Sequence, residues 1–306
     1  MADEAVRVRG LRKRYAAGVE ALCGLNLSVQ TGQVYGVVGP DGAGKTTLMK
    51  VLAGVLSFQA EEAQVLGRPV PDGLAQVRHH IGYLPQRFSL YGDLTVAENL
   101  DFYAALYPPD PEGGRTRQDL LEMIGLEAFR DRMAADLSGG MKQKLALLCN
   151  LVHRPRLLLM DEPTVGVDPV SRREFWTLVF ELQRGGLTVL ASTPYMDEAE
   201  QFDRVALLSE GTLVREGTPA EIRASVPGVV LELVCQRPFQ AARCLEGAPG
   251  IQDVQLFGDR LHLFAAQDAP ALRQALDQRL GQAGLQVHRL RVVPFSIEDV
   301  FLRLTT

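Results

Sequence analysis

Residues Gly39-Pro40-Asp41-Gly42-Ala43-Gly44-Lys45-Thr46-Thr47 carry the densest chemistry in the chain. Glycines at 39, 42 and 44 let backbone amides turn inward with no Cβ in the way. An apolar run, Val34–Val38, leads in, and a helical run, Leu48–Ala53, leads out. Strand, Gly-rich loop, Lys-Thr and helix together fit a phosphate-binding P-loop. The inward amides and the positive end of the helix make an anion cradle from Gly39 to Thr47. Lys45 is placed to reach β- and γ-phosphates, and the Thr46 hydroxyl to hold Mg²⁺.

Two further constellations follow downstream. Arg156-Leu157-Leu158-Leu159-Met160-Asp161-Glu162-Pro163 reads as a buried strand ending in paired acids. Asp161 is expected to bind Mg²⁺ through water, and Glu162 to orient or deprotonate an attacking water. In Leu137-Ser138-Gly139-Gly140-Met141-Lys142-Gln143, Ser138 can cap a helix, and Gly139 and Gly140 beside its N-terminus form a second phosphate-sized nest. That segment alone is also compatible with an ordinary capped helix. Upstream, Tyr15 either stacks on a nucleotide base or packs at a hairpin end; its sequence context leaves both open.

The elements that must position these groups read as follows. Val6–Arg9 and Leu22–Val29 are strands, and His79–Pro85 is a short strand ending at Gln86. The region before Arg78 is weakly patterned. Thr95-Val96-Ala97-Glu98 is a capping-box pattern opening a helix. Pro108–Gly114 is a breaker-rich loop, and Gln118–Ile124 is helical, so about 88–154 is a helical insertion. Val170–Leu182 is an amphipathic helix with core aromatics, and Leu187–Ser192 is a buried strand. Met196–Phe202 is a short acidic helix, Val205–Leu208 and Thr212–Val214 form a hairpin, and Pro219–Ala224 is a short helix. Beyond Ser225–Gly228 the order is strand, helix, strand, strand, helix, strand, then a terminal helix at Ile297–Leu304. That β-α-β-β-α-β order suggests a ferredoxin-like module, with no catalytic constellation of its own.

Composition sets bounds. The 306 residues are 46% hydrophobic and suit one large domain or two. A net charge of −5 gives no electrostatic reason to expect nucleic acid. Cys23, Cys149, Cys235 and Cys244 have no metal-like spacing and read as reduced thiols. The acidic start, Met1-Ala2-Asp3-Glu4, lacks signal-peptide character. No apolar run approaches the ~20 residues that span a bilayer, so membrane work would need a spanning partner.

Taken together, 6–224 resembles an ATPase subunit of an ABC transporter. The Walker A loop (Gly39–Thr46), the Q-loop (Gln86), the signature (Leu137–Gln143), Walker B with its acid (Asp161, Glu162) and the D-loop region (Gly166-Val167-Asp168) occur in the family's order. Asp161-Glu162-Pro163-Thr164-Val165-Gly166-Val167-Asp168-Pro169 and Tyr195-Met196-Asp197-Glu198-Ala199-Glu200 are similar to the ABC-2-type exporters, which include daunorubicin-resistance ATPases. Ser296-Ile297-Glu298-Asp299-Val300-Phe301 resembles the end of that subfamily's C-terminal extension.

This resemblance implies an α/β P-loop NTPase cassette over 1–224: a RecA-like core, an antiparallel β subdomain and a helical subdomain. The small α+β ferredoxin-like module occupies 228–306. It implies ATP and Mg²⁺, with Lys45, Gln86 and Glu162 catalytic and Thr46, Gln86 and Asp161 at the metal. Two such subunits pair head to tail, as homodimer or heterodimer. Each ATP then lies between one P-loop and the other subunit's Ser138-Gly139-Gly140. Closure drives separate membrane permease subunits, contacted around Gln86–Tyr103, at the cytoplasmic face of the cell membrane, and the cargo is a drug or lipid-like compound. An alternative is a hydrolysis-impaired ATP-binding partner in a heterodimer. Acting on ribosomes or DNA is disfavoured, because paired cassettes and a long coiled coil are missing. Three departures stand out: Met141 in the signature, Asp41 where Asn is usual, and Pro194 at the place of the switch histidine. None of His79, His80, His153, His262 or His288 substitutes for it by position.

Overall fold

The computed structural model describes residues 3–87, 90–107 and 117–305. Phe88, Ser89 and the breaker-rich stretch at 108–114 lie outside the described residues. The chain divides into two compact units, Met1–Pro219 and Ala220–Thr306.

In the first unit, strands β1 (Glu4–Arg14) and β2 (Glu20–Gln30) form a hairpin longer than the sequence pattern suggests. Register shifts between Val8 and Leu11 and between Leu11 and Arg12 break the alternation there. β3 (Val34–Val38) leads to helix α1 (Lys45–Leu52). The weakly patterned region holds β4 (Glu62–Val65), β5 (Arg68–Pro69) and the short helix α2 (Leu74–Val77). β2-β1-β4-β5 make one antiparallel sheet.

β6 spans only Ile81–Leu84, because His79 and His80 belong to a 3₁₀ turn. Helices α3 (Val96–Ala105), α4 (Arg117–Ile124) and α5 (Gly139–Cys149) follow before β7 (Leu157–Asp161), as the helical insertion requires. Thr95 and Glu98 complete the expected capping box. Next come α6 (Pro169–Arg184), β8 (Thr188–Thr193), α7 (Met196–Ala199), β9 (Arg204–Ser209) and β10 (Thr212–Gly217). α7 stops three residues short of the expected end. The core sheet runs β10-β9-β3-β8-β7-β6, parallel except for β10.

α1 joins the two sheets. Leu48, Met49 and Leu52 pack in one buried cluster with Val6 and Leu27 of the first sheet and Leu159 and Leu190 of the second. β3, β7 and β8 are buried along their whole length, as continuous apolar strands in a covered parallel sheet should be. Their carboxyl ends deliver the P-loop, the acid pair and Thr193 to one edge, the place where open α/β sheets bind ligands.

Helix α8 (Pro219–Ala224) carries the chain into the second unit. There β11 (Val229–Cys235), α9 (Pro238–Leu245), β12 (Ile251–Phe257), β13 (Arg260–Ala265), α10 (Pro270–Gln282) and β14 (Val287–Val293) precede α11 (Ile297–Thr305). The sheet order β12-β13-β11-β14, all antiparallel, is that of a ferredoxin-like module. Leu231, Leu233, Leu261 and Leu263 meet Leu245, Leu276 and Leu280 from the two helices. The described cysteines are all free.

Candidate active site

The P-loop is shaped by close approaches that only glycine permits. A Cβ on Gly39 would collide with the Leu208 carbonyl, and one on Gly44 with the Ala21 carbonyl. Gly44 also holds φ 103°, where an L side chain is strained. Pro40, Asp41 and Gly42 form the exposed tip, and Ala43 closes the turn by donating from its amide to the Pro40 carbonyl at 3.2 Å. α1 then begins at Lys45, so the amides of its first turn face the loop.

Lys45 is buried and fully occupied. Its ammonium donates to the carbonyls of Gly39 at 2.7 Å and Pro40 at 2.9 Å, and pairs with Glu162 Oε1 at 3.0 Å. Gln86, just beyond β6, donates its amide to Glu162 Oε2 at 2.8 Å. The structure therefore brings together Lys45, Gln86 and Glu162, three residues scattered over more than a hundred positions of sequence. Glu162 itself sits at φ 49°, a left-handed conformation costly for a non-glycine residue and characteristic of functional turns. Its amide is held by the hydroxyl and carbonyl of Ser192, at 2.9 and 3.1 Å.

Beside it, Asp161 Oδ1 accepts from the Thr46 hydroxyl at 3.0 Å and the Ser192 hydroxyl at 2.8 Å. Burial pushes the Asp161 carboxyl above its ordinary range, and these two bonds work against that push. Oδ2 is buried with no partner among the described residues. An orphaned carboxylate oxygen beside a threonine hydroxyl is a hard, oxygen-only donor set, which fits Mg²⁺. Tyr83 presents a second buried, unpartnered hydroxyl, and burial with the nearby Asp161 charge pushes its phenol up to about 12.

Tyr15 stands partly exposed, not buried in the hairpin, with its hydroxyl 3.1 Å from Thr47 Oγ1. The ring is therefore tied to the first turn of α1, next to the phosphate loop. Lys13 lies over that ring, 5.4 Å from its centroid.

Ser138 caps α5, accepting from the Met141 amide at 3.3 Å, and Ser138 and Gly139 are exposed. Gly140 is covered: a Cβ there would meet the Ser171 side chain at 2.6 Å. This nest stands on the helical insertion, where α5 packs on α3, α4 and α6. Pro194 follows Thr193 at the end of β8 and offers no side-chain donor.

Sequence reasoning missed four supporting residues. Ser192 orients Asp161 and fixes the Glu162 backbone; Thr164, Thr193 and Glu198 form a buried bonded group at the strand ends. Hydroxyls at strand ends have no spacing signature, and Glu198 is hidden in an acidic run that reads as solvated.

Comparison with known proteins gives consistent relatives. The ABC transporter family profile matches residues 22–165, and that of the DrrA1-3-like ATP-binding protein C-terminal domain matches 217–305. The probable multidrug ABC transporter ATP-binding protein YbhF of Escherichia coli is 46% identical over 276 residues, 88% of this chain. The chain spans about half of YbhF, 47% of its length. Daunorubicin resistance ATP-binding protein DrrA3 of Streptomyces coeruleorubidus is 36% identical over 308 residues, covering 100% of this chain and 97% of that one. Among solved structures, cbiO1 of Clostridium perfringens, part of the ABC transporter complex cbiONQ, superposes with TM-score 0.65 at 29% identity, covering 73% of this chain and 92% of that one. The dimeric bacterial ABC transporter cassette MJ0796 superposes with TM-score 0.62 at 25% identity, covering 70% and 98%.

Proposed function

This chain belongs to the ABC transporter ATP-binding family, and from that membership we propose that it is the ATP-hydrolysing subunit of an exporter. Drug or lipid-like compounds would move through separate membrane subunits. The observation that carries the reading is the convergence of Lys45, Gln86 and Glu162, with Thr46 and Asp161 one bond away. The described residues include no helix long and apolar enough to cross a membrane, so a spanning partner is part of the proposal.

ATP lies with its phosphates on the 39–47 loop and its base on Tyr15. Lys45 exchanges Glu162 for the β- and γ-phosphate oxygens, and the first-turn amides of α1 hold the remainder. Thr46 and the free Oδ2 of Asp161, with Gln86, would hold Mg²⁺, which supplies neutralisation of phosphate charge. Once released from Lys45, Glu162 accepts a proton from the attacking water while the water's oxygen bonds to the γ-phosphorus; the bond from that phosphorus to the oxygen bridging it to the β-phosphate breaks, giving ADP and phosphate. Gln86 keeps Glu162 aimed.

Two phosphate nests in one chain, at 39–47 and at 138–140, are explained by head-to-tail pairing. The exposed Ser138-Gly139 of one copy covers the γ-phosphate on the other, and the likeness to a cassette solved as a dimer supports this. Such a pair would work at the cytoplasmic face of the cell membrane.

Glu162→Gln tests the reading. The amide keeps the shape but cannot take a proton, so the variant should bind ATP, accumulate as a dimer on size exclusion and hydrolyse at least a hundredfold more slowly. Turnover at the parent rate would remove Glu162 from the base role.

A further inference from the structure

A buried carboxylate ties together the two strand ends that face the nucleotide side. Glu198 on α7 is 3% exposed. Its Oε1 accepts from the Thr164 hydroxyl at 2.7 Å, and its Oε2 from the Thr193 hydroxyl at 2.6 Å. Both threonines are fully buried. Those distances are in the charge-assisted range for a hydroxyl on a carboxylate. Arg172 of α6 comes within 3.9 Å of Glu198 and lies over the Tyr195 ring, 4.4 Å from its centroid.

The two threonines belong to segments with different surroundings. Thr164 follows the acid pair of β7. The chain then emerges at Val165, 41% exposed, turns at Gly166 and enters α6 through the Asp168 cap. Ser171, in the first turn of α6, is the residue against which Gly140 of the second nest packs. Thr193, on the other side, receives the Gly39 amide on its carbonyl at 3.4 Å, at the very start of the P-loop. Its hydroxyl also accepts from the Tyr195 amide at 3.0 Å, which turns the chain across Pro194. A continuous bonded and packed series thus runs from Gly140 through Ser171, the 165–168 loop, Thr164, Glu198 and Thr193 to Gly39.

Filling space does not require a carboxylate. Burying one costs desolvation, and Leu or Met would pack α7 without that cost. What Glu198 adds is direction: two hydroxyls held by one rigid planar group, so that the segments after β7 and β8 move together or not at all.

We propose that Glu198 is a positioning residue that couples the exposed 165–168 loop and the adjacent nest, where a second copy docks, to the chain's own P-loop. A partner's nucleotide seated on Ser138–Gly140 would then be registered at Gly39 through Thr164 and Thr193. The inference rests on the head-to-tail pairing proposed above.

The experiment uses the Glu162→Gln chain, which should pair on ATP, as parent. Thr164→Val and Glu198→Gln are each added to it; the first removes one hydroxyl at constant shape, the second weakens the acceptor. Dimer dissociation is followed by analytical ultracentrifugation with ATP, and monomer affinity by titrating a fluorescent ADP analogue at low protein concentration. The coupling role predicts a weaker dimer, by at most the roughly ten- to hundredfold that one charge-assisted hydrogen bond is worth. Monomer nucleotide affinity should stay unchanged, while the thermal midpoint falls in both variants because each weakens a hydrogen bond on a buried carboxylate. Dimers as tight as the parent's would overturn the coupling role. Equal losses in monomer and dimer affinity would reduce Glu198 to local stability and overturn it as well. A parent that stays monomeric at saturating ATP would instead defeat the pairing reading, visibly without either variant, and the coupling with it.

Discussion

Gln86 donates its side-chain amide to Oε2 of Glu162 at 2.8 Å, reaching from the end of β6 to the turn after β7. With Lys45 on Oε1, both carboxylate oxygens are held from different elements, and the strained φ of Glu162 aims the group toward the P-loop. The geometry of this candidate site is produced by tertiary structure: no two of these three residues are neighbours in sequence.

Removing the cation should therefore be felt twice. Lys45→Ala deletes the donor expected on phosphate and leaves Glu162 buried with only Gln86. A charge-assisted hydrogen bond contributes about 1.5–3 kcal/mol, so nucleotide affinity should fall roughly ten- to hundredfold. Equilibrium binding of a fluorescent nucleotide measures it, and an unchanged dissociation constant would sink the assignment.

Ser138→Arg separates the two nests. Ser138 is exposed and tied only to the α5 start, so the substitution should leave nucleotide binding by the monomer intact. Turnover should nevertheless vanish, because a bulky side chain stands where the partner's γ-phosphate is expected. Normal ATPase activity in this variant would argue against a shared site.

Much of this site was legible in the sequence because its chemistry is local in spacing. Val34–Thr47 and Leu157–Glu162 each combine strand, turn and functional group in one short run, and the structure forms the strands and the helix where those patterns require. What stayed hidden depends on long-range contact. β4 and β5 owe their existence to pairing with β1 and with each other, not to their own alternation. Glu198 looks solvated beside Asp197 and Glu200, and only packing under Thr164 and Thr193 reveals a buried role. His79 and His80 read in sequence as the start of a strand, yet they lie in a 3₁₀ turn ahead of it.

The second unit offers an acid-stability prediction. Asp299 is fully buried and accepts from His262 Nδ1 at 2.7 Å and from the Ser296 amide and hydroxyl at 2.8 and 2.7 Å. Burial pushes its carboxyl up, but these bonds outweigh that and leave it below the ordinary value. A carboxylate with a lowered folded pKa contributes stability that is complete above its unfolded pKa of about 3.9 and is lost as pH falls through the folded value. Asp299→Asn should thus lower the thermal midpoint at neutral pH and narrow its gap to the parent below about pH 4. A gap that stays constant from pH 7 to pH 3 would detach Asp299 from the acid limb.

Pro194 is expected to slow the cycle. The family's switch histidine contacts the γ-phosphate and helps fix the attacking water; proline has neither side-chain donor nor backbone N–H. Its neighbours do not compensate as they stand. The Thr193 hydroxyl donates to Glu198, and the Tyr195 amide is spent on Thr193 Oγ1. The charge-neutralising parts proposed above, Lys45, Thr46 and the Ser138 nest of a paired copy, would remain, and phosphoryl transfer is mostly positioning and electrostatics. Losing one donor elsewhere costs about 10²–10³ in rate, which bounds the deficit. The expected wild type is a slow but real ATPase. Pro194→His should raise turnover, since Pro194 is only half-buried and the chain around it is already anchored by Glu198 and Gly39. Steady-state ATPase activity with Glu162→Gln as blank makes the comparison. If the parent is already fast and Pro194→His changes nothing, another group holds the γ-phosphate. Release of the Thr193 hydroxyl from Glu198 is then the first rearrangement to test, using Thr193→Val.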